Sequence, residues 1–200
     1  MNKIITIARE FGSGGRELGK RIAEELGIAY YDKEIIQEVT KKTELAEEYV
    51  QQIIEDKPYV YYPIHIAHSL DDSYSSINSI NEKIYIEQTN VIKELAEKSS
   101  CVIVGRCADY ILRDLNPFRI YVYADMESKI KRCKEKKEFE AGTSDKKIAK
   151  MIKKIDKNRK RYYQFYTTQE WGDKLNYDIC INTSGKSVKE TVLEILSILK

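Results

Sequence analysis

The chain has 200 residues, 42% hydrophobic and 33% charged, which suits one globular domain large enough to bury a core. Its 34 basic and 32 acidic residues nearly cancel, which argues against a broad electrostatic surface for nucleic acid. No apolar run reaches membrane-spanning length, the N-terminus lacks the apolar core of a signal peptide, and the four cysteines form no CxxC pair. A reduced, cytoplasmic protein with no membrane partner is expected.

Short apolar runs alternate with helical patterns along the chain. "KIITIA" (3–8) reads as a first strand, leading into the glycines of "FGSGG" and a helix striped by Leu18, Ile22 and Leu26. "IAYYD" (28–32) is a second strand. A long, mostly helical connection over 33–98 follows, ending in a helix from about 76 to 98 that carries Ile77, Ile80, Ile84, Val91 and Leu95. "CVIVG" (101–105) and "FRIYVYA" (118–124) are the third and fourth strands. A charged helix, a short loop at 139–144 and a second helix lead to "YDICIN" (177–182). The last helix bears Val188, Val192, Ile195 and Leu199. Most strands lack polar alternation, as strands covered on both faces do, so the pattern predicts a parallel α/β sheet with helices on either side. Cys101 and Cys180, inside strand runs, are expected to be buried thiols.

The sharpest chemical signal is "FGSGGRELG". Strand, glycine turn and helix place backbone N–H groups and a helix N-terminus at one point, where phosphate is attracted. Gly12, Gly14 and Gly15 let the backbone curl around an anion, and Ser13 offers a hydroxyl donor. Against the pattern G-x-x-x-x-G-K-[ST], the segment can be laid in two registers. With Gly15 as last glycine, Arg16 replaces the lysine and Glu17 the hydroxyl residue. With Gly14 last, Gly15 takes the lysine position and Arg16 the hydroxyl position. The first register keeps a cation for the β/γ-phosphates; neither keeps the hydroxyl that binds Mg²⁺. A dinucleotide site is the rival, since Asp32 lies 20 residues beyond Gly12, but Glu17 occupies the third glycine position of G-x-G-x-x-G.

A second constellation is "CVIVGRCADYIL". Arg106 stands at the carboxyl end of the third strand, the edge at which open parallel sheets bind ligands; an ion pair with Asp109 or Asp114 is the plainer alternative. Further on, "KKIDKNRKRYYQFYT" sets Lys157, Arg159, Lys160 and Arg161 on one helix after a glycine-containing loop, where a closing lid would bring charge onto phosphates. Asp156 and Arg159, at i and i+3, are placed to pair. His65 and His68 have the spacing of two metal ligands but no third ligand nearby, so an ordinary polar or core role is favoured. Tyr59, Tyr61 and Tyr62 suit a packed layer, a stacked base or a homodimer interface. Asp125 is read as the cap of the helix that follows it.

Together, "ITIAREFGSGGRELGKRIAEELGIAYYDKEII", "VIVGRCADYIL", "DKNRKRYY" and "WGDKLNYDICINTS" resemble the nucleoside monophosphate kinases, and most closely their cytidylate kinase-like branch. The middle segment is similar to the family's G-R-D-[IM] motif, which maps Arg106 onto the motif arginine and puts Cys107 where its Asp stands. The resemblance implies a three-layer P-loop kinase fold with a five-stranded parallel sheet of order 2-3-1-4-5. It also implies a helical acceptor-binding insertion (33–98), a lid at about 136–146, and ATP with Mg²⁺ as cofactors. Under it, Gly12 to Gly15, Arg16 and Glu17 would hold the donor phosphates. Arg106 and Asp32 would meet the acceptor, and Arg16, Arg106, Arg159 and Arg161 would neutralise the transferring group. The expected activity is transfer of the ATP γ-phosphoryl to a nucleoside monophosphate such as CMP or dCMP, or to a related small phosphorylated acceptor. Because the loop lacks lysine, a non-catalytic nucleotide-binding or regulatory protein is the first alternative and a dinucleotide-binding oxidoreductase the second.

Overall fold

The computed structural model describes residues 2–55 and 71–199, with side chains described over 2–54 and 80–199. His65, His68 and the tyrosines at 59, 61 and 62 lie outside the described residues. Five strands, β1 (Ile4–Arg9), β2 (Ala29–Tyr31), β3 (Cys101–Val104), β4 (Phe118–Tyr123) and β5 (Ile179–Asn182), form one parallel sheet in the order β2-β3-β1-β4-β5. This is the expected order, and it makes the strand of the glycine turn the neighbour of the strand that ends at Arg106.

Eight α-helices accompany the sheet among the described residues. They are α1 (Gly15–Leu26), α2 (Glu34–Thr43), α3 (Glu47–Glu55), α4 (Asp71–Lys98), α5 (Ala108–Ile111), α6 (Met126–Glu135), α7 (Asp145–Thr167) and α8 (Val188–Leu199). Side chains alternate across each strand, so the sheet feeds two cores. Ile5 and Ile7 of β1 and Val102 and Val104 of β3 face Leu18 and Ile22 of α1 and Val192 and Ile195 of α8. Ile4, Cys101 and Ile103 point the other way, into helices α2 to α5 and Tyr162 and Tyr163 of α7. A fully buried isoleucine such as Ile7 or Ile22 contributes about 1.5–3 kcal/mol, so the two layers hold the strand ends in fixed register.

Cys180 departs from expectation, being exposed while Cys101 is buried. The reason is its strand. β5 is the sheet edge, and only one of its faces is covered, by Ile181 packing into the α1/α8 layer. The helix starts differ in a telling way. Asp125 caps α6 by accepting the Ser128 N–H at 2.7 Å, and Ser144 caps α7 through the Lys147 N–H. By contrast, α1 starts after left-handed Gly14 with no side-chain cap.

Candidate active site

The turn after β1 is braced by side chains from α6, from α7 and from the chain just after β5. Asp156 of α7 accepts the Phe11 N–H at 2.7 Å, and its other oxygen lies 3.2 Å from the Lys129 ammonium. Lys129, buried on α6, also meets Glu10 at 2.6 Å. Burial pushes the Asp156 carboxyl above the usual range, opposed by the Phe11 N–H and the Lys129 charge. From just beyond the end of β5, Thr183 donates to the Ser13 carbonyl at 2.8 Å. Arg132 spans the Gly12 and Thr183 carbonyls. Gly12 is required by its left-handed φ of 75° and by space, since an added Cβ would lie 3.0 Å from the Lys129 carbonyl oxygen.

What this bracing presents is an uncapped helix start. The first α1 hydrogen bond runs from the Leu18 N–H to the Gly14 carbonyl at 2.9 Å, and N–H groups before it in the first turn have no acceptor within the helix. They open onto a cavity of about 460 Å³ lined by Gly12, Gly14, Gly15 and a ring of cations including Arg9, Arg16, Arg132 and Arg159. Positive helix end and guanidinium charge converge on one space, an arrangement that binds phosphate.

The structure brings most of the sequence-nominated residues together here. Gly12, Gly14, Gly15, Arg16, Glu17, Asp32 and Arg159 all line the cavity. Arg16 is at its rim, with a half-exposed side chain whose Nε sits 2.6 Å from Asp32 Oδ2. Glu17 is paired with Lys136 at 2.6 Å and Arg21 at 3.0 Å. Ser13 turns away: it is fully buried, and its hydroxyl donates to the Glu10 carbonyl at 2.8 Å, so it braces the loop instead of facing the cavity. Arg159 lies 3.7 Å from Asp156, the spacing-based pair, and also donates to the Arg9 carbonyl at 3.2 Å. Arg161 is exposed on α7 and lines neither this cavity nor the smaller one beside it.

That smaller cavity opens at the end of β3, where Gly105, Arg106 and Cys107 all have left-handed backbones, with φ of 76°, 58° and 55°. Two non-glycine residues in succession in this region store strain that the surroundings must hold, a recurrent mark of functional turns. Here Gln88 donates to the Arg106 carbonyl at 3.2 Å and the Arg106 Nε donates to the Asp32 carbonyl at 3.1 Å. Arg106 is thus oriented by Asp32's backbone. Asp109 instead takes the Tyr163 hydroxyl at 2.6 Å.

Asp32 is the hub: buried at the end of β2, it meets Arg16 with one carboxylate oxygen. Its other oxygen, Oδ1, accepts no hydrogen bond and lies 3.9 Å from Arg9. A buried acceptor without a hydrogen-bond donor, beside a cavity, fits a hydroxyl or a water held by a divalent cation. Among the described residues no group of three or more His, Cys, Asp or Glu is placed to hold a metal by itself, so a Mg²⁺ ion here would rest largely on bound phosphates.

Arg9, which lines the cavity, and Lys129, which braces its turn, are residues that motif reading passed over. Arg9 carried the same signal used for Arg106, a cation at the carboxyl end of a parallel strand. Lys129 carried none, because its partners lie 27 and 119 positions away.

The comparisons agree with this fold. The chain is similar over 98% of both chains to a crystal structure of an uncharacterized protein from Eubacterium ventriosum, at 34% identity and a TM-score of 0.70. It shares its fold with the shikimate kinase of Acinetobacter baumannii, solved with shikimate, at 15% identity and a TM-score of 0.53 over 100% of this chain and 93% of that one. The shikimate kinase of Bacteroides thetaiotaomicron aligns at 13% identity and a TM-score of 0.57 over 98% of both chains. No curated protein matches. The sequence profile described as the cytidylate kinase-like family matches residues 4–185. With an uncapped glycine turn, an arginine at the end of the neighbouring strand and a match spanning nearly its whole length, this chain belongs to the cytidylate kinase-like family.

Proposed function

We propose that the protein is an ATP-dependent phosphotransferase acting on a nucleoside monophosphate of the CMP or dCMP kind, or on a related small phosphorylated acceptor. The observation that carries this reading is the uncapped start of α1 opening, with Arg9, Arg16, Arg132 and Arg159, onto one cavity. Phosphoryl transfer asks a protein mainly for positioning and charge stabilisation, which such an arrangement supplies.

In this reading the glycine turn and its first-turn N–H groups hold the donor phosphates. Arg159 lies where it can neutralise the equatorial oxygens of the transferring group, and Arg106, at the end of β3, holds the acceptor phosphate. Mg²⁺, when bound with ATP, would draw charge from the β and γ oxygens, and Asp32 Oδ1 is the carboxylate oxygen left to receive one of its waters. Arg161 is assigned to the outer face of the lid helix. Residues 136–146 serve as the lid. Supporting this, Phe139 lies against Phe11 of the glycine turn with ring centroids 6.1 Å apart, and Lys136 reaches Glu17. The helices of 33–98 are the acceptor-binding insertion.

A second reading has its own support. The hydrogen-bond-free Oδ1 of Asp32 fits an acceptor hydroxyl as well as a phosphate-linked water. The acceptor would then be a small hydroxylated compound. A coupled ADP-release assay with CMP, dCMP, UMP, AMP, shikimate and no acceptor separates these. Turnover that requires a nucleoside monophosphate supports the first reading, and turnover with shikimate alone supports the second. Release without any acceptor makes the protein an ATPase, and ATP binding without release makes it a nucleotide-binding protein.

A further inference from the structure

We infer that Arg9 supplies the phosphate-contacting charge that lysine supplies in Walker loops, the loop's cation and one of its glycines having exchanged places. Laid on G-x-x-x-x-G-K, the segment Arg9-Glu10-Phe11-Gly12-Ser13-Gly14-Gly15 carries its cation at the first position and glycine at the last. This inference rests on the kinase reading above.

Space supports the exchange. A Cβ on Gly15 would stand 2.5 Å from the Arg9 Cβ and 3.1 Å from its Cγ. Arg9's stem therefore fills the room from which a side chain at position 15 would start. At the other end, a Cβ on Gly105 would stand 1.8 Å from Arg9 Nη1 and 2.8 Å from its Cζ. The guanidinium therefore lies over bare backbone at the end of β3, and two glycines, one at the start of α1 and one just after β3, make its berth. That berth is on the boundary between the two cavities, and among the described residues only Arg9 and Arg159 line both. On the kinase reading, donor and acceptor phosphates meet at this boundary.

Charge supports it too. The ion pair of Arg9 with Asp32 is 3.9 Å long, whereas Arg16 holds the other oxygen of that carboxylate at 2.6 Å. Burial first, and then the Arg159 charge, bring the Arg9 pKa down to about 9. A guanidinium kept charged in such surroundings gains from an anion placed against it, and its planar fork can grip two phosphate oxygens. Arg16, half exposed and already closely paired, is the poorer candidate for the same task.

Calorimetric titration of ATP into the wild type and four variants tests the exchange, with thermal unfolding of each protein as a check on folding. Arg9→Gln is expected to weaken ATP binding by about 10- to 100-fold, the value of one charge-assisted contact, while melting no lower than the wild type without ATP. Arg16→Gln is expected to weaken it less. Gly15→Lys alone is expected to weaken binding, because the two stems collide. The double variant Arg9→Gly/Gly15→Lys restores the Walker order and leaves Val122 Cβ, 3.3 Å from the new Cβ, as the neighbour that must yield. It is expected to bind within about tenfold of wild type. Wild-type affinity in Arg9→Gln, or a double variant that binds no better than Arg9→Gln, overturns the exchange and leaves the kinase reading standing. A wild type that neither binds ATP nor releases ADP with any acceptor overturns both.

Discussion

The turns after β1 and β3 occupy equivalent places on neighbouring parallel strands and meet opposite demands. The β1 turn is built of glycines, opens a 12-residue helix and offers its backbone to the cavity. The β3 turn puts Arg106 and Cys107 into left-handed conformations, opens a helix of four residues and offers a side chain. Backbone donors need access, so their turn is bare and braced from behind by Asp156, Lys129 and Thr183. A side-chain cation needs aim, so its turn accepts strain and is held by Gln88 and the Asp32 carbonyl.

The largest break in this comparison comes from Arg106→Gly. Glycine relieves the left-handed backbone by about 1 kcal/mol, yet turnover is expected to fall by about 10²–10³-fold, the usual loss for one charge-stabilising donor. Unfolding in urea and ADP release, measured on the same preparation, check the two halves. If stability and turnover fall together, the turn is structural only.

Asp156→Ala removes the brace of the first turn. It leaves the Phe11 N–H without its acceptor and Lys129 with Glu10 as its carboxylate, and is expected to cost about 1–3 kcal/mol in urea unfolding with weaker ATP binding.

A pH experiment is subtler. Burial and the Arg159 charge bring Arg9's folded pKa down to about 9, well below its ordinary value. At neutral pH the folded and unfolded chains both hold this proton, and holding it costs the folded state stability. Above about pH 9, until the ordinary guanidinium range is reached, the unfolded chain binds more protons, so Arg9's contribution to stability rises with pH. A bound triphosphate favours the charged form. ATP binding near pH 9 is therefore expected to take up a fraction of a proton, read by calorimetry in buffers of different ionisation enthalpy, and Arg9→Gln should abolish that uptake. The smallest effect is expected from Arg161→Ala, within about threefold in turnover and well below that of Arg159→Ala in the same assay.

Much of the architecture was legible because burial leaves a periodic trace. β1, β3 and β4 are strands covered on both faces and read as continuous apolar runs, while Val188, Val192, Ile195 and Leu199 kept helical spacing. The exposure of Cys180 was hidden, since nothing local says that its strand is the sheet edge. At the site, Gly12, Arg106 and the Asp156–Arg159 spacing stood out as motifs. The roles of Ser13, Lys129 and Arg9 did not, because each depends on groups brought close by the fold. Ser13 looks like a donor until its burial is seen. Arg9 looks like the last residue of a strand until the bare backbone of Gly15 and Gly105 shows where its side chain goes.

Asp32 has a consequence for selectivity. Its carboxylate touches Arg16 and faces Arg9, and its backbone carbonyl takes Arg106, so one residue stands among three guanidinium groups before any substrate arrives. Such a carboxylate acts as a resident counter-ion. Arrival of phosphate is then an exchange of partners, not the filling of an empty field. A singly charged anion gains little by competing with it, whereas a chelated triphosphate brings enough charge to win several partners at once. The site would thereby ignore the small anions of its surroundings while remaining responsive to nucleotide.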